Sequence, residues 1–253
     1  MKGQFLTDQG RVRSHNEDSG GVFYNTANQI LAIIADGMGG HQAGDVASQM
    51  ATELIEEKWR DTTAFTTPDK TEGWIGNTLT EVNQKILEES RKSMECQGMG
   101  TTVVMVVCTE EFITIAHIGD SRCYVLNDHD FKQITEDHSL VNELLRSGQI
   151  TKDDAEHHPR KNVLLKALGT EEVVLPDIKT LEWEQSNKIL LFSDGLTNKV
   201  TDEELKTFLE DNKTIQETGH GLVNLANERG GEDNVSLAII CHGPSEEVGE
   251  DSC

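Results

Sequence analysis

The sequence predicts an α+β fold in which antiparallel sheets are covered by helices. Three observations carry that expectation. Apolar strand-like runs come in pairs without a helix between each one, which disfavours a regular βαβ sheet. Amphipathic stretches at helical spacing lie between the groups of runs. Aspartates stand at the run ends, most of them beside glycine.

The first run, "QILAIIAD" (29–36), delivers a carboxylate onto three glycines in four positions. This turn is no phosphate cradle: G-x-x-x-x-G-K-[ST] is absent, and Gln42 stands where G-x-G-x-x-G needs its last glycine. Residues 43–59 put Val46, Ala47, Met50, Ala51, Leu54, Ile55 and Trp59 on one helical face, and residues 74–91 do the same with Ile75, Leu79, Val82 and Ile86. The Met and Trp residues on these faces read as core. "TTVVMVVCT" (101–109) and "EFITIAHIGDSRCYVL" (111–126) are strand-like runs, and within the second "HIGDSRCYVL" (117–126) reads as a hairpin bending at Gly119-Asp120. Residues 138–170 are polar and short-helical and contain "HHPRK"; they read as an insertion or lid. "NKILLFSDG" (187–195) and "NVSLAIICH" (234–242) are further strands. Thr201 and Glu204 are spaced as a capping box. A helix over 220–229 stops at Gly230-Gly231. The acidic end, residues 243–253, reads as a disordered tail, which leaves a single domain over 1–242.

Composition narrows the function classes. A length of 253 residues, four prolines and no Ser/Gly-rich linker suit one large domain. No run is long enough to span a bilayer, and the first residues lack the pattern of a secretion signal. Five cysteines without C-x-x-C spacing read as reduced thiols. The expected location is therefore the cytoplasm. Lys and Arg number 22 against 45 Asp and Glu, a net charge of −23. That lacks the basic footprint of a nucleic-acid binder and disfavours anionic membranes. No segment compels an oligomer, so a monomer is expected.

Asp18, Asp36, Asp120, Asp194 and Asp233 all sit at run ends. Asp-Gly and Gly-Asp are ordinary turn pairs, so each aspartate alone is explained as a turn. If those ends share one edge of a sandwich, however, five carboxylates converge. Like charges at that range raise one another's pKa, and divalent cations remove the conflict. Oxygen-only ligands without a His or Cys cluster point to Mg²⁺ or Mn²⁺. Two such ions about 3.5–4 Å apart activate a water against a phosphate ester. Arg13, shortly before Glu17 and Asp18, offers a planar fork suited to phosphate, although alone it would read as a surface arginine.

"RxxxED" (Arg13, Glu17, Asp18), "ADGMGGH" (35–41), "GTTVV" (100–104), "IGDSRCY" (118–124), "LFSDGLTN" (191–198) and "GGEDNVSL" (230–237) follow one another in a telling order. In these motifs the chain resembles the metal-dependent serine/threonine protein phosphatases of type 2C, over residues 7 to about 240. The short "ADGMGGH" form resembles the bacterial branch, whose members partner eukaryote-like serine/threonine kinases. The resemblance implies a central β-sandwich of two antiparallel sheets with helices on both outer faces, and a flap at 138–170 beside the active site. It implies hydrolysis of phosphoserine and phosphothreonine on proteins by two Mn²⁺ or Mg²⁺ ions. Asp36 would bridge both ions and Gly37 would ligate one through its carbonyl. Asp194 and Asp233 would ligate the other. Glu17 and Asp18 would hold waters on the ions. Asp120, with Asp194, would hold a third, looser ion. Asn234 would orient Asp233, and Arg13 would grip the substrate phosphate.

Animal members have histidine directly after the metal-binding Asp-Gly, as a proposed general acid. Here Met38 stands there, and a thioether donates no proton. His41, three residues on, or a metal-bound water is the candidate donor in its place; His138, His157 and His158 are weaker candidates, with no motif behind them. The rival to an enzyme is a pseudophosphatase that signals through partners. Loss of a core aspartate would favour it, and none is lost.

Overall fold

The computed structural model describes residues 1–39, 43–92, 94–128, 130–211 and 213–243. In chain order the strands are β1 (Lys2–Asp8), β2 (Asp18–Tyr24), β3 (Ile30–Met38), β4 (Gly100–Thr101), β5 (Val103–Cys108), β6 (Phe112–Ile118), β7 (Arg122–Leu126), β8 (Phe131–Gln133), β9 (Asp177–Glu182), β10 (Lys188–Phe192) and β11 (Val235–Cys241). The helices are α1 (Ala43–Arg60), α2 (Pro68–Lys92), α3 (Leu140–Arg146), α4 (Lys152–Glu156), α5 (Asp194–Thr197), α6 (Asp202–Glu210) and α7 (Ile215–Glu228).

Two antiparallel sheets form the centre. One has the order β1-β11-β10-β7-β8, the other β2-β3-β5-β6-β9, with β4 paired to the end of β3. Strand side chains alternate between faces, so each buried strand feeds two cores. Ile30, Ala32 and Ile34 of β3, with Val104 and Val106 of β5, pack against Ile189, Leu191, Ala238 and Ile240 of the other sheet. Leu31, Ile33 and Ala35 pack outward against Ala47, Ile55 and Trp59 of α1 and Leu79 of α2. On the opposite face, Leu190, Phe192 and Leu237 pack against Leu205 and Leu209 of α6 and Leu222 of α7. The result is the expected sandwich with helices on both outer faces.

Several elements differ from the sequence reading. Residues 117–126 are not a hairpin. β6 pairs with β5 and β9 in one sheet, whereas β7 pairs with β10 and β8 in the other. The bend at Gly119 therefore carries the chain between sheets. Both strands are buried on both faces, so no alternation marked which sheet each would join. The strand expected over 101–109 breaks at Thr102, whose N–H turns to the Asp36 carbonyl at 2.9 Å. Helix α2 begins six residues earlier than expected, at Pro68, where a proline loses no intrahelical bond. β1, β2, β8 and β9 escaped the reading because they are half-exposed sheet edges with few consecutive apolar residues.

The 138–170 segment holds α3, none of whose residues is buried, and α4. It is tied to the body near both ends. Ser139 bridges Leu164, Leu168 bridges Thr101, and the Leu165 N–H donates to the His138 carbonyl at 2.7 Å. Of the expected tail, residues 244–253 lie outside the described residues. No helix among those described is long and apolar enough to cross a membrane.

Candidate metal centre

Strand pairing brings the first two carboxylates together. Asp18 of β2 stands opposite Asp36 of β3 in the antiparallel register. Asp36 does not end its strand; β3 continues to Met38, paired with β4. Its backbone is fixed on both sides. The Asp36 N–H donates to Thr102 Oγ1 at 3.0 Å, and its carbonyl accepts from the Thr102 N–H and from Thr101 Oγ1, each at 2.9 Å. "GTTVV" therefore acts here by gripping the aspartate's main chain.

Gly37 is required by close approach. A Cβ there would stand 2.0 Å from the Gly44 carbonyl oxygen, where α1 begins, and 2.6 Å from that of Glu17. The Gly37 N–H donates to the Glu17 carbonyl at 3.0 Å, and Ser48 Oγ donates to the same oxygen at 2.6 Å.

Asp233 and Asn234 enter from the loop before β11. The Asn234 N–H donates to Asp233 Oδ1 at 2.9 Å. The Asn234 side chain does something the sequence did not suggest. Its Oδ1 accepts from the Glu17 N–H at 2.8 Å, and its Nδ2 donates to the carbonyls of Gln9 and His15, both at 2.9 Å. This one buried amide fastens the loop that carries Arg13. Arg13 Nη2 donates to Asp233 Oδ2 at 2.8 Å, while Nη1 lies 4.0 Å from Glu17 Oε2. Asp194 opens α5 behind Ser193. Ser193 is fully buried; its Oγ donates to Asp18 Oδ2 at 2.7 Å and accepts from the Ser236 N–H at 3.1 Å.

The carboxylates feel one another. Burial, then the charges of Asp18, Asp194, Asp120 and Asp233, hold Asp36 well above the usual carboxylate range. Burial pushes Asp18 up to about 7, against hydrogen bonds from Ser193 and Ser236, with Asp194 and Asp233 adding to the rise. Asp120 is raised to about 7 by burial and then by Asp194. Asp194 is raised to about 6 by burial and then by Asp233. The neighbouring Arg122 gives its fork to Asp137, at 2.9 and 2.7 Å, and offers this group little relief. Hard oxygen donors crowded to this degree suit divalent cations of the Mg²⁺ and Mn²⁺ type.

A different group, His117, His138 and Asp177, brings three potential ligand atoms within 4.8 Å of one another. Its chemistry argues against an ion. The two imidazoles stack at 4.5 Å and 15°, so their in-plane lone pairs do not meet at one point. His117 Nε2 is engaged by the Glu136 carbonyl, and His138 Nδ1 accepts from the Gly119 N–H. The Lys166 ammonium already lies 3.1 Å from Asp177. His41, the candidate proton donor, lies outside the described residues.

A profile of the protein phosphatase 2C family matches residues 9–228. The chain belongs to the protein phosphatase 2C family. It is 48% identical over 240 residues to the serine/threonine phosphatase stp of Listeria monocytogenes, covering 95% of each chain. It is 38% identical to the protein phosphatase PhpP of Streptococcus pneumoniae, over 95% of this chain and 97% of that one. Among solved structures, Stp1 of Staphylococcus aureus superposes with a TM-score of 0.89 at 39% identity, covering 95% and 94% of the two chains. The catalytic domain of the serine/threonine protein phosphatase PstP, in complex with two manganese ions, superposes at 0.82 with 32% identity, covering 94% and 96%. In this 2C-type phosphatase the supporting hydroxyls, Thr101, Thr102 and Ser193, lie inside the recognised motifs. Their partners could not be named from sequence, because each partner is remote along the chain.

Proposed function

We propose that this 2C-type phosphatase hydrolyses phosphoserine and phosphothreonine esters on proteins, using two Mn²⁺ or Mg²⁺ ions gathered by its aspartates. One observation carries the reading: Asp18, Asp36, Asp120, Asp194 and Asp233 converge, and burial and mutual repulsion keep four of them above the ordinary carboxylate range. In this reading Asp36 and the Gly37 carbonyl would hold one ion, and Asp36, Asp194 and Asp233 the other. Asp18 and Glu17 would orient water beside them. Asp120 and Asp194 would hold a looser third ion. Bound there, the ions supply Lewis acidity and a nucleophilic water.

The remaining work falls to the chain. Arg13 is half-exposed, with only its Nη2 on Asp233, and its planar fork is the proposed grip on the substrate phosphate. The reaction forms one P–O bond to water and breaks the P–O bond to the seryl or threonyl oxygen. That leaving oxygen takes a proton, for which His41 is the proposed donor. The 138–170 segment is proposed as the flap that screens protein substrates, within a single domain over 1–242. A serine/threonine kinase supplying the phosphorylated proteins, and a cytoplasmic location, belong to the same reading.

The test is phosphate release from a phosphothreonine peptide, with Mn²⁺ and with EDTA. Release that requires the metal is the expected result. No release from several phosphoserine and phosphothreonine peptides, by a folded and metal-loaded protein, would shift the reading to a binding module.

A further inference from the structure

His138 stands where the 138–170 segment leaves the body, and both its backbone and its ring are tied there. Its N–H donates to the Gly119 carbonyl at 2.9 Å, and its ring Nδ1 accepts from the Gly119 N–H at 3.2 Å. Its carbonyl accepts from the Leu165 N–H at 2.7 Å, which fastens the far end of the segment. The other ring nitrogen, Nε2, lies 3.4 Å from Asp177 Oδ1 and 3.4 Å from the Lys166 ammonium. The ring is nearly buried and stacked on His117.

Gly119 leaves no slack. Its φ is +107°, and a Cβ there would stand 2.6 Å from the Thr102 side chain. The bend is therefore held between the His138 ring on one side and Thr102 on the other. Thr102 Oγ1 accepts from the Asp36 N–H at 3.0 Å and lies 2.8 Å from Ser121 Oγ, the residue after Asp120. An unbroken contact path thus runs from both ends of the segment, through His138 and Gly119, to Asp120 and Asp36.

We infer that His138 is a positioning residue: it clasps both ends of the 138–170 segment to the Gly119–Asp120 bend and so sets where Asp120 stands in the metal centre. The consequence for metal rests on the reading of Asp120 as a ligand; the clasp itself does not. No ligand role is needed for His138, since both ring nitrogens are already engaged.

His138→Phe keeps an aromatic ring against His117 but removes the acceptor. His138→Asn places an amide oxygen near the Nδ1 position and keeps the acceptor without the ring. The first readout is hydrogen exchange at the Gly119 amide in EDTA-treated protein. His138→Phe should speed it about tenfold, the equivalent of one lost hydrogen bond, and His138→Asn should leave it close to wild type. The second readout is the Mn²⁺ concentration giving half-maximal hydrolysis of p-nitrophenyl phosphate. It should rise roughly fivefold in His138→Phe, with the loss recovered at saturating Mn²⁺, and should stay near wild type in His138→Asn. Unchanged Gly119 exchange in His138→Phe would overturn the clasp, as would equal effects of the two variants in both readouts. If His138→Phe fails to fold, His138→Gln, whose oxygen sits beyond the Nδ1 position, takes its place. Wild-type protein that hydrolyses no phosphoester would defeat the functional reading alone, because the exchange comparison would still decide the clasp.

Discussion

Asp36 and Asp18 share a cross-strand position that carboxylates would ordinarily avoid. Their raised pKa values have a definite sign for stability. The folded protein binds more protons than the unfolded chain between about pH 4 and 7, so stability without metal is fullest below the unfolded carboxylate pKa and falls as pH rises through 6 to 7. EDTA-stripped protein should therefore melt at least about 5 °C lower at pH 8 than at pH 5, and excess Mn²⁺ should reverse the loss at pH 8. Thermal melts at the two pH values, with and without Mn²⁺, check this; a flat profile would contradict it. Asn234 makes the second prediction at this scale. Asn234→Ala strands the Glu17 N–H and the carbonyls of Gln9 and His15. It should cost about 2–3 kcal/mol in urea unfolding and weaken activity by loosening the loop that carries Arg13. The aspartates were legible because glycine and strand ends flag them. Asn234's grip on that loop was not, because its partners lie 217 or more positions away.

Strand β3 shows how an element can be clear in type and obscure in place. Its apolar run announces a buried strand, yet the alternation between two cores hides behind residues that are apolar on both faces. The same effect concealed the change of sheet between β6 and β7. Edge strands failed for the opposite reason: β2, "DSGGVFY", has glycines where a buried strand has branched residues, and only its pairing with β3 reveals that Asp18 faces Asp36. Capping was easier, because it is local. The box at Thr201 and Glu204 forms as expected, and another at Thr214 and Glu217 starts α7. Two substitutions test this scale. Thr214→Ala should cost about 1 kcal/mol. Ile33→Ala, at a fully buried site between β3 and the helices, should cost about 3 kcal/mol while leaving kcat unchanged. Chemical denaturation of both variants checks the costs, and a kcat loss in Ile33→Ala would show that the helical layer steers the site.

At the scale of the molecule, two sheets bring the start of β2, the end of β3, the loop before β11, the end of β10 and the β6–β7 bend close together. That cluster concentrates negative charge in a chain already at −23. Divalent ions there would stabilise the folded state by RT ln(1 + [L]/Kd), about 2.7 kcal/mol at a hundredfold excess over Kd. The order of the layers and the identity of the carboxylates followed from motifs; their convergence needed the long-range pairing that only the folded chain displays. The central claim is that Asp36 joins two ions into one hydrolytic centre. The most direct test is Asp36→Asn, which removes the charge and almost no volume, followed by Mn²⁺ titration calorimetry and phosphopeptide turnover on the same sample. A folded variant that binds fewer Mn²⁺ ions, with turnover reduced by about 10³-fold or more, is the predicted result. Near-normal turnover, or unchanged Mn²⁺ stoichiometry, would contradict the account.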